Sequence, residues 1–241
     1  MARGAYLLSL GLVPYADAFE LQRALAGAVS QGAIPETVIL LEHPPVVTLG
    51  RRTELESELH VPESAEVEIV ETDRGGKSTF HGPGQLVCYP ILDLRQHGQD
   101  VKLYVRNLEE AVIRTLSAFE LEAVRIDGLT GVWVPPGNGQ GPRKIASIGV
   151  HVSRWVTTHG YALNVDLDPT PFTEWITACG LEDAAFSTIS RELGRRVGVD
   201  DVRPAATAAL DAVFDLELEL LPGDDGAGLW PQVVHESLSA R

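Results

Sequence analysis

Asp73-Arg74-Gly75-Gly76-Lys77-Ser78-Thr79-Phe80-His81-Gly82-Pro83-Gly84-Gln85-Leu86 is the stretch on which the reading of this chain turns. It carries four glycines, a proline, two cations and a histidine, and it lies between the apolar-alternating segments 67–70 and 86–91. Glycines admit backbone angles closed to other residues, so such a loop can press its amides against a ligand. A hairpin connection needs only about two to five residues. The stretch is longer than a connection requires, and it reads as a binding loop.

Gly76-Lys77-Ser78 matches the end of a phosphate-binding P-loop, but that motif needs another glycine five residues before Gly76, where Glu71 stands. No strong parallel-strand and helix pattern flanks it, so nucleotide binding of that kind is excluded.

Outward from the loop, the 241 residues fit one domain with room for a core. The formal net charge of -15 argues against a nucleic-acid partner, which calls for a basic face. Two cysteines, Cys88 and Cys179, suit a reducing cytoplasm better than a disulfide framework. At the N-terminus Arg3, an apolar run at 6–13 and Ala16-Asp17-Ala18 imitate a short secretory signal. Pro14 breaks the run and helical spacing follows, so residues 6–12 read as a first strand. No segment reaches the roughly 20 apolar residues of a membrane span, and a cytoplasmic protein without a membrane partner is expected.

Phe19, Gln22, Leu25, Ala26 and Val29 recur at helical intervals, predicting an amphipathic helix over 16–31. Strands are expected at 37–41, 46–49, 67–70 and 86–91, with an acidic loop at 54–62 between the second and third. Asp100 is placed to cap a helix whose apolar face is Val101, Val105, Leu108, Val112, Leu116 and Phe119. Residues 123–126 and 131–134 read as strands. Residues 144–153 alternate strictly, with Ile148, Val150 and Val152 on one face and Ser147, Gly149, His151 and Ser153 on the other. Residues 161–166 are the expected antiparallel partner. A short helix near 172–176 and a helix over 202–214, opened by Asp200 or Asp201, complete the pattern. Strands outnumber helices and mostly suit antiparallel pairing, so the fold class is α+β.

Few groups could do chemistry. Cys179, before Gly180, has the position of an exposed thiol, although most lone cysteines are small buried hydrophobes. Cys88, within an apolar strand, reads as such a hydrophobe. Lys144 opens the alternating strand; beside a thiol, a lysine favours the thiolate, and once neutral it could act as a base. Spacing alone does not bring Lys144 and Cys179 together. The seven histidines show no metal-ligand spacing, so neither a metal nor another cofactor is expected. His81 and His159 each precede a glycine beside the candidate site. Trp133, Trp155 and Trp175 read as core or pocket wall.

Arg74-Gly75-Gly76-x-x-Thr79-x-His81-Gly82-Pro83-Gly84-Gln85-Leu86-x-x-Tyr89-Pro90 closely resembles the signature loop of the lipoyl-pathway octanoyltransferases. Lys144-Ile145-Ala146-Ser147-Ile148-Gly149 and His159-Gly160-Tyr161-Ala162-Leu163-Asn164-Val165 resemble its second and third motifs. The run from Leu41 to Arg51 and Cys179-Gly180 complete the order, so the resemblance covers about residues 36 to 195. It implies the fold of biotin and lipoate protein ligase catalytic domains, with residues 1–221 as one catalytic domain. The polar tail, 222–241, matches nothing in the family and is of the kind that can be mobile.

The resemblance further implies octanoyl transfer from acyl carrier protein to a lysine of a lipoyl domain, in a 2-oxoacid dehydrogenase or the glycine cleavage H protein. Cys179 would hold the acyl group as a thioester and Lys144 would lower its pKa. Arg74, Gly75, Gly76, Lys77, Ser78, Thr79, Phe80 and His81 would line the acyl pocket, with Ser147, Ile148, Gly149, Gly160, Tyr161 and Ala162.

One thioester replaces another in such a reaction, so no nucleotide is needed. Burying the roughly six methylenes of the chain yields about 5 kcal/mol at ~0.8 each. Carrier proteins and lipoyl domains are acidic, so docking on a chain of this charge needs a local basic patch. Arg51, Arg52 and Arg143 are the docking candidates, with Arg74, Lys77, Lys144 and Arg154 nearby in the motifs. The competing readings are an ATP-dependent lipoate or biotin ligase, a non-catalytic acyl or carrier-protein binding module, and a cysteine hydrolase. Gly82-Pro83-Gly84-Gln85 and Cys179-Gly180 favour the transferase over the ligase.

Overall fold

Apolar residues at 5–8 and 10 and an unbroken apolar run at 38–41 build the first two strands of the structure, a computed structural model that describes residues 2–54, 59–137, 139–176 and 185–221. β1 (Arg3–Leu12) lies parallel to β2 (Thr37–Glu42), with α1 (Tyr15–Ser30) as the crossover. Pro14, whose ring forbids a preceding helical turn, sets where α1 begins. β2 runs antiparallel to β6 (Gln85–Ile91), β6 to β10 (Val156–Asn164), and β10 to β9 (Arg143–Ser153). β8 (Leu129–Val134) and β7 (Val124–Ile126) close one edge, and β12 (Leu216–Leu220) lies parallel to β1 at the other. The short β11 (Ala185–Phe186) pairs parallel with β9, giving this sheet nine strands among the described residues.

This sheet separates two cores. On one face α2 (Val101–Ser117) and α5 (Val199–Phe214) pack over Val38, Leu40, Leu86, Cys88 and Leu163; on the other α1 packs over Ile39, Leu41, Val87 and Tyr89. A smaller sheet, order β4 (Glu68–Glu71), β3 (Val46–Leu49), β5 (Thr79–His81), shares a third core with α3 (Thr170–Glu174). There Phe80 meets Phe172 and Trp175 edge-on, at 5.9 and 5.7 Å between ring centroids. The α+β architecture is as expected, with antiparallel pairs in the majority and parallel pairs at the β12–β1–β2 edge.

Local readings need several corrections. The glycine-rich stretch is not one connection: β5 lies inside it and pairs with β3, so its flanking strands β4 and β6 belong to different sheets. Asp100 caps α2, accepting from the amides of Lys102 and Leu103 at 2.7 and 3.1 Å. The buried stripe of α2 runs through Tyr104, Leu108, Ala111, Val112 and Thr115; Val101 is exposed and Val105 half-buried. Helix α5 begins three residues earlier than its apolar pattern, because Asp201 folds back onto the amide of Gly198 at 2.8 Å. Trp155 is 40% exposed at the β9–β10 turn rather than in the core. Strand β12 and helix α4 (Ile189–Leu193) were not anticipated, although the Leu-Glu alternation over 216–220 carries a strand period; α4 is too short to show one. Among the described residues no helix is long and apolar enough to cross a membrane. Cys179, Trp230 and the tail 222–241 lie outside the described residues, as does part of the loop at 54–62.

Candidate acyl-transfer site

Three adjacent strands present a smooth floor. The β6–β10–β9 register aligns Val87, Ala162 and Ser147 in one row across the sheet and sets Gly160 opposite Gly149 in the next, beside Tyr89. Small side chains at these positions leave a trough. Larger ones do not fit: a Cβ on Gly160 would overlap the Cys88 carbonyl, and one on Gly149 would lie 3.0 Å from the Gly75 carbonyl.

The glycine-rich loop roofs this trough. Gly75 donates its amide to Val150 O at 2.9 Å, and the amides of Arg51 and Arg52 bond to the carbonyls of Arg74 and Gly76 at 3.1 Å each. Gly76 has φ +93, a conformation that side chains resist. Gly50 is needed because the Gly76 carbonyl occupies the place of its Cβ. Arg74 pins the assembly. Its guanidinium donates to Thr48 O and Lys77 O at 2.7 Å each, to Thr48 Oγ1 at 2.8 Å and to Gly75 O at 3.2 Å. With 7% of its surface exposed, it is an internal strut and not part of a docking face.

A cavity of about 400 Å³ lies between loop and floor, within the usual size of small-molecule sites. Arg74 to Thr79, His81, Ser147 to Gly149 and Gly160 to Ala162 all line it. Phe80 does not; strand alternation turns it into the third core. Arg52 lines the mouth, and Arg51 is exposed next to it. Arg143 does not reach the cavity: it donates to both carboxylate oxygens of Glu192, at 2.8 and 3.0 Å.

Lys144 reaches the cavity through a break in alternation. Val132 pairs with Ala146, but the next β8 residue, Trp133, pairs with Lys144, which makes Ile145 the extra residue of a β-bulge. Unbroken alternation would align Lys144 with Ile148 and Val150. One extra residue reverses the parity and brings Lys144 to the side of Ser147 and Gly149, while Ile145 and Ala146 remain in the α2–α5 core. The ammonium stands 5.4 Å from the centre of the Trp133 ring, and the side chain is 2% exposed. Gly131, at φ +128, makes room, since its Cβ would lie 2.7 Å from Lys144 Cε. Cys179, the other candidate, lies outside the described residues.

The chain matches the lipoyl protein ligase A/B catalytic domain over residues 14–211. It belongs to that family. The "Octanoyltransferase" of Solibacter usitatus (strain Ellin6076) is 48% identical over 224 residues, covering 92% of this chain and 97% of that one. The "Octanoyltransferase" of Mycobacterium tuberculosis (strain ATCC 25618 / H37Rv) is 51% identical over 207 residues, covering 86% and 85%. Among solved structures, the bi-partite lipoate protein ligase of Thermoplasma acidophilum superposes with a TM-score of 0.71 at 16% identity, covering 99% of this chain and 93% of that one. A lipoate-protein ligase A bound with ATP gives 0.67 at 14%, covering 100% and 96%. At those identities the two structures share the fold with this member of the family.

Beside the trough the fold of the lipoyl ligase family gathers side chains whose sequence positions carry no mutual signal. His43 donates Nδ1–H to Val13 O at 2.7 Å and accepts from the Tyr89 hydroxyl at Nε2, also at 2.7 Å. His159, at φ +57, donates Nε2–H to Asp73 at 2.7 Å; this hydrogen bond holds the Asp73 carboxyl below its ordinary range. Tyr15, from α1, stacks on His81 at 6.1 Å and lines the cavity. Tyr15 was not anticipated at the site, and Asp73 only as the first residue of the binding loop. Tyr15 arrives from an element distant in sequence, and only the His-Gly pairs hinted at the cluster.

Burial depresses the pKa of all three histidines, to about 4 for His43, so they are neutral at neutral pH. In the unfolded chain His43 protonates first, near its ordinary value of 6.5. Its contribution is therefore complete above that pH and lost as pH falls from 6.5 towards 4. At about 1.4 kcal/mol per unit, His43 alone should remove roughly 2 kcal/mol by about pH 5. Urea midpoints measured at stepped pH should decline across this window. A midpoint constant down to about pH 4.5 would contradict neutral burial.

Proposed function

We propose that this chain takes an octanoyl group from acyl carrier protein onto Cys179 as a thioester and passes it to the ε-amine of a lysine on a lipoyl domain. The observation that carries this reading is the bulge that turns Lys144 into a buried cavity under the glycine-rich loop. By the motif resemblance Cys179 would be its partner, and relatives about half identical over most of their length are named octanoyltransferases. Lys144 favours the thiolate for acyl capture and serves as the acid–base partner of Cys179. The small-residue trough takes the acyl chain, and loop amides such as that of Gly76 are candidate donors to the oxyanion.

Burial of Lys144 means that both substrates arrive on slender arms, as a carrier-bound thioester and a lysine side chain do. The acceptors are the lipoyl domains of 2-oxoacid dehydrogenases or the glycine cleavage H protein, and the setting is the cytoplasm. No nucleotide, metal or other cofactor is required. Exposed Arg51 and Arg52 remain the docking cations of this reading, while Arg143 is committed to Glu192. Residues 1–221 form the catalytic domain and 222–241 a tail outside it.

Intact mass after mixing with octanoyl carrier protein, without acceptor, tests the proposal. One octanoyl adduct should appear and be discharged by a lipoyl domain. Cys179→Ala should form none. Cys88→Ser should keep most of the reaction, because Cys88 is fully buried and burial pushes its thiol well above its ordinary range. Full activity in Cys179→Ala, or a strict need for ATP and free octanoate, would promote the ligase reading.

A further inference from the structure

Side chains on three strands settle which nitrogen of His81 carries its proton. Asn164 meets the carbonyl oxygen of Ser187 at 3.2 Å, and a carbonyl only accepts, so Asn164 donates there through Nδ2. Asn164 Oδ1 then faces Gln85, which must donate to it through Nε2, at 3.0 Å. The remaining atom of that amide, Gln85 Oε1, faces His81 Nδ1 at 2.7 Å and can only accept. His81 therefore carries its proton on Nδ1. Its Nε2 keeps a lone pair, on a residue that is 6% exposed and lines the cavity.

A lone pair repels a carbonyl oxygen and gains nothing from a methylene chain. Of the groups that acyl transfer brings to this cavity, an amine N–H or a thiol matches it. The position also fits. Asn164 lies one residue beyond the Leu163–Ala146 pair, beside the bulge that carries Lys144, and Gln85 is its partner on β6. Lys144 and Gln85 thus stand about two strand spacings, or roughly 10 Å, apart, with His81 on the Gln85 side. An amine entering between them meets a cation on one side and an acceptor on the other.

We propose that His81 Nε2 is the proton acceptor for the incoming lysine amine in the second half-reaction, an assignment that rests on the transferase reading and adds to it the group that takes this proton. The neutral amine donates one N–H to Nε2, which turns its lone pair towards the acyl carbon. As the C–N bond forms and the C–S bond breaks, the electron pair of the broken bond leaves with sulfur. The surplus proton on nitrogen passes to Nε2, and the imidazolium then returns it to the thiolate. Thiol and neutral imidazole are both regenerated.

The two half-reactions separate the possibilities. The chain is loaded with octanoyl carrier protein, freed of donor, and mixed with a lipoyl domain under single-turnover conditions. In His81→Ala discharge to the lysine should fall about 100-fold, the usual scale of a lost acid–base group, and much further than loading does. Gln85→Glu is the second variant, in case His81→Ala folds poorly. Its carboxylate still accepts from Nδ1–H but favours the imidazolium, so discharge alone should gain an acid limb and recover as pH rises. Equal losses in both half-reactions, or normal discharge in His81→Ala, would overturn the assignment. So would discharge without an acid limb in Gln85→Glu. An unaltered chain that acquires no octanoyl mass removes the transferase reading and this inference with it. Loading followed by normal discharge in His81→Ala removes this inference alone.

Discussion

Lys144→Met should lower octanoyl transfer by about 10³-fold, within the 10²–10⁴ range typical of a positioned acid–base group, while the protein still folds. The expectation comes from the contrast between what the ammonium does and what its burial costs. Lys144 is 2% exposed, and its ammonium lies near the Trp133 ring. Met is apolar and of similar length, a nearly volume-conserving change of the kind that buried sites tolerate best. Met also keeps the stem that fills the space beside Gly131. Melting temperature and initial rate, measured together, separate the two roles. A large rate loss with a melting temperature within a few degrees fits a chemical role. A collapse of folded yield with normal specific activity in the remaining protein would make Lys144 a structural residue.

Gly160→Val should have the largest effect on stability. Gly160 sits in β10 between β6 and β9, so the strand has ladder partners on both sides and little freedom to shift. A Cβ there would overlap the Cys88 carbonyl and lie 2.8 Å from Pro90 Cδ. The obstacle is backbone of a neighbouring strand, which cannot rotate away as a side chain would. Overpacking of this kind costs about 3 kcal/mol, or roughly 6–12 °C in melting temperature for a chain of this size. Gly27→Ala is the matched control: no atom lies within 4 Å of its added Cβ, and Ala is the better helix former within α1. The control should melt at or above the temperature of the unaltered chain. Equal melting temperatures for Gly160→Val and the control would show that the β6–β10 spacing is softer than the register implies.

Much of the molecule was legible without coordinates. Hydrophobic period placed α1, β2, β3 and β6 to within a residue or two, because burial on one face enforces alternation or helical spacing wherever an element is long enough to show it. The Asp100 cap was legible for a related reason, since a helix start has local chemistry. The glycine-rich loop announced itself through residues whose backbone freedom has few other uses. The order of motifs pointed to the family that the comparison over residues 14–211 establishes.

Other features needed the tertiary structure, for reasons that are not local. Strict alternation in β9 predicts that Lys144 faces away from Ser147 and Gly149. A single extra residue, Ile145, reverses this, and that bulge is defined only by the pairing of β9 with β8. Arg74 looked like a docking cation, yet its guanidinium is spent on Thr48, Gly75 and Lys77, because the fold brings β3 beside the loop. The protonated nitrogen of His81 follows from Ser187 through Asn164 and Gln85, positions spread over more than 100 residues of chain. The sequence by itself determined which residue types are present and which faces they bury, since period and composition act between near neighbours. Which of those residues share a cavity, and which atom of each faces it, was decided by strand register, a long-range property that one residue more or less reverses.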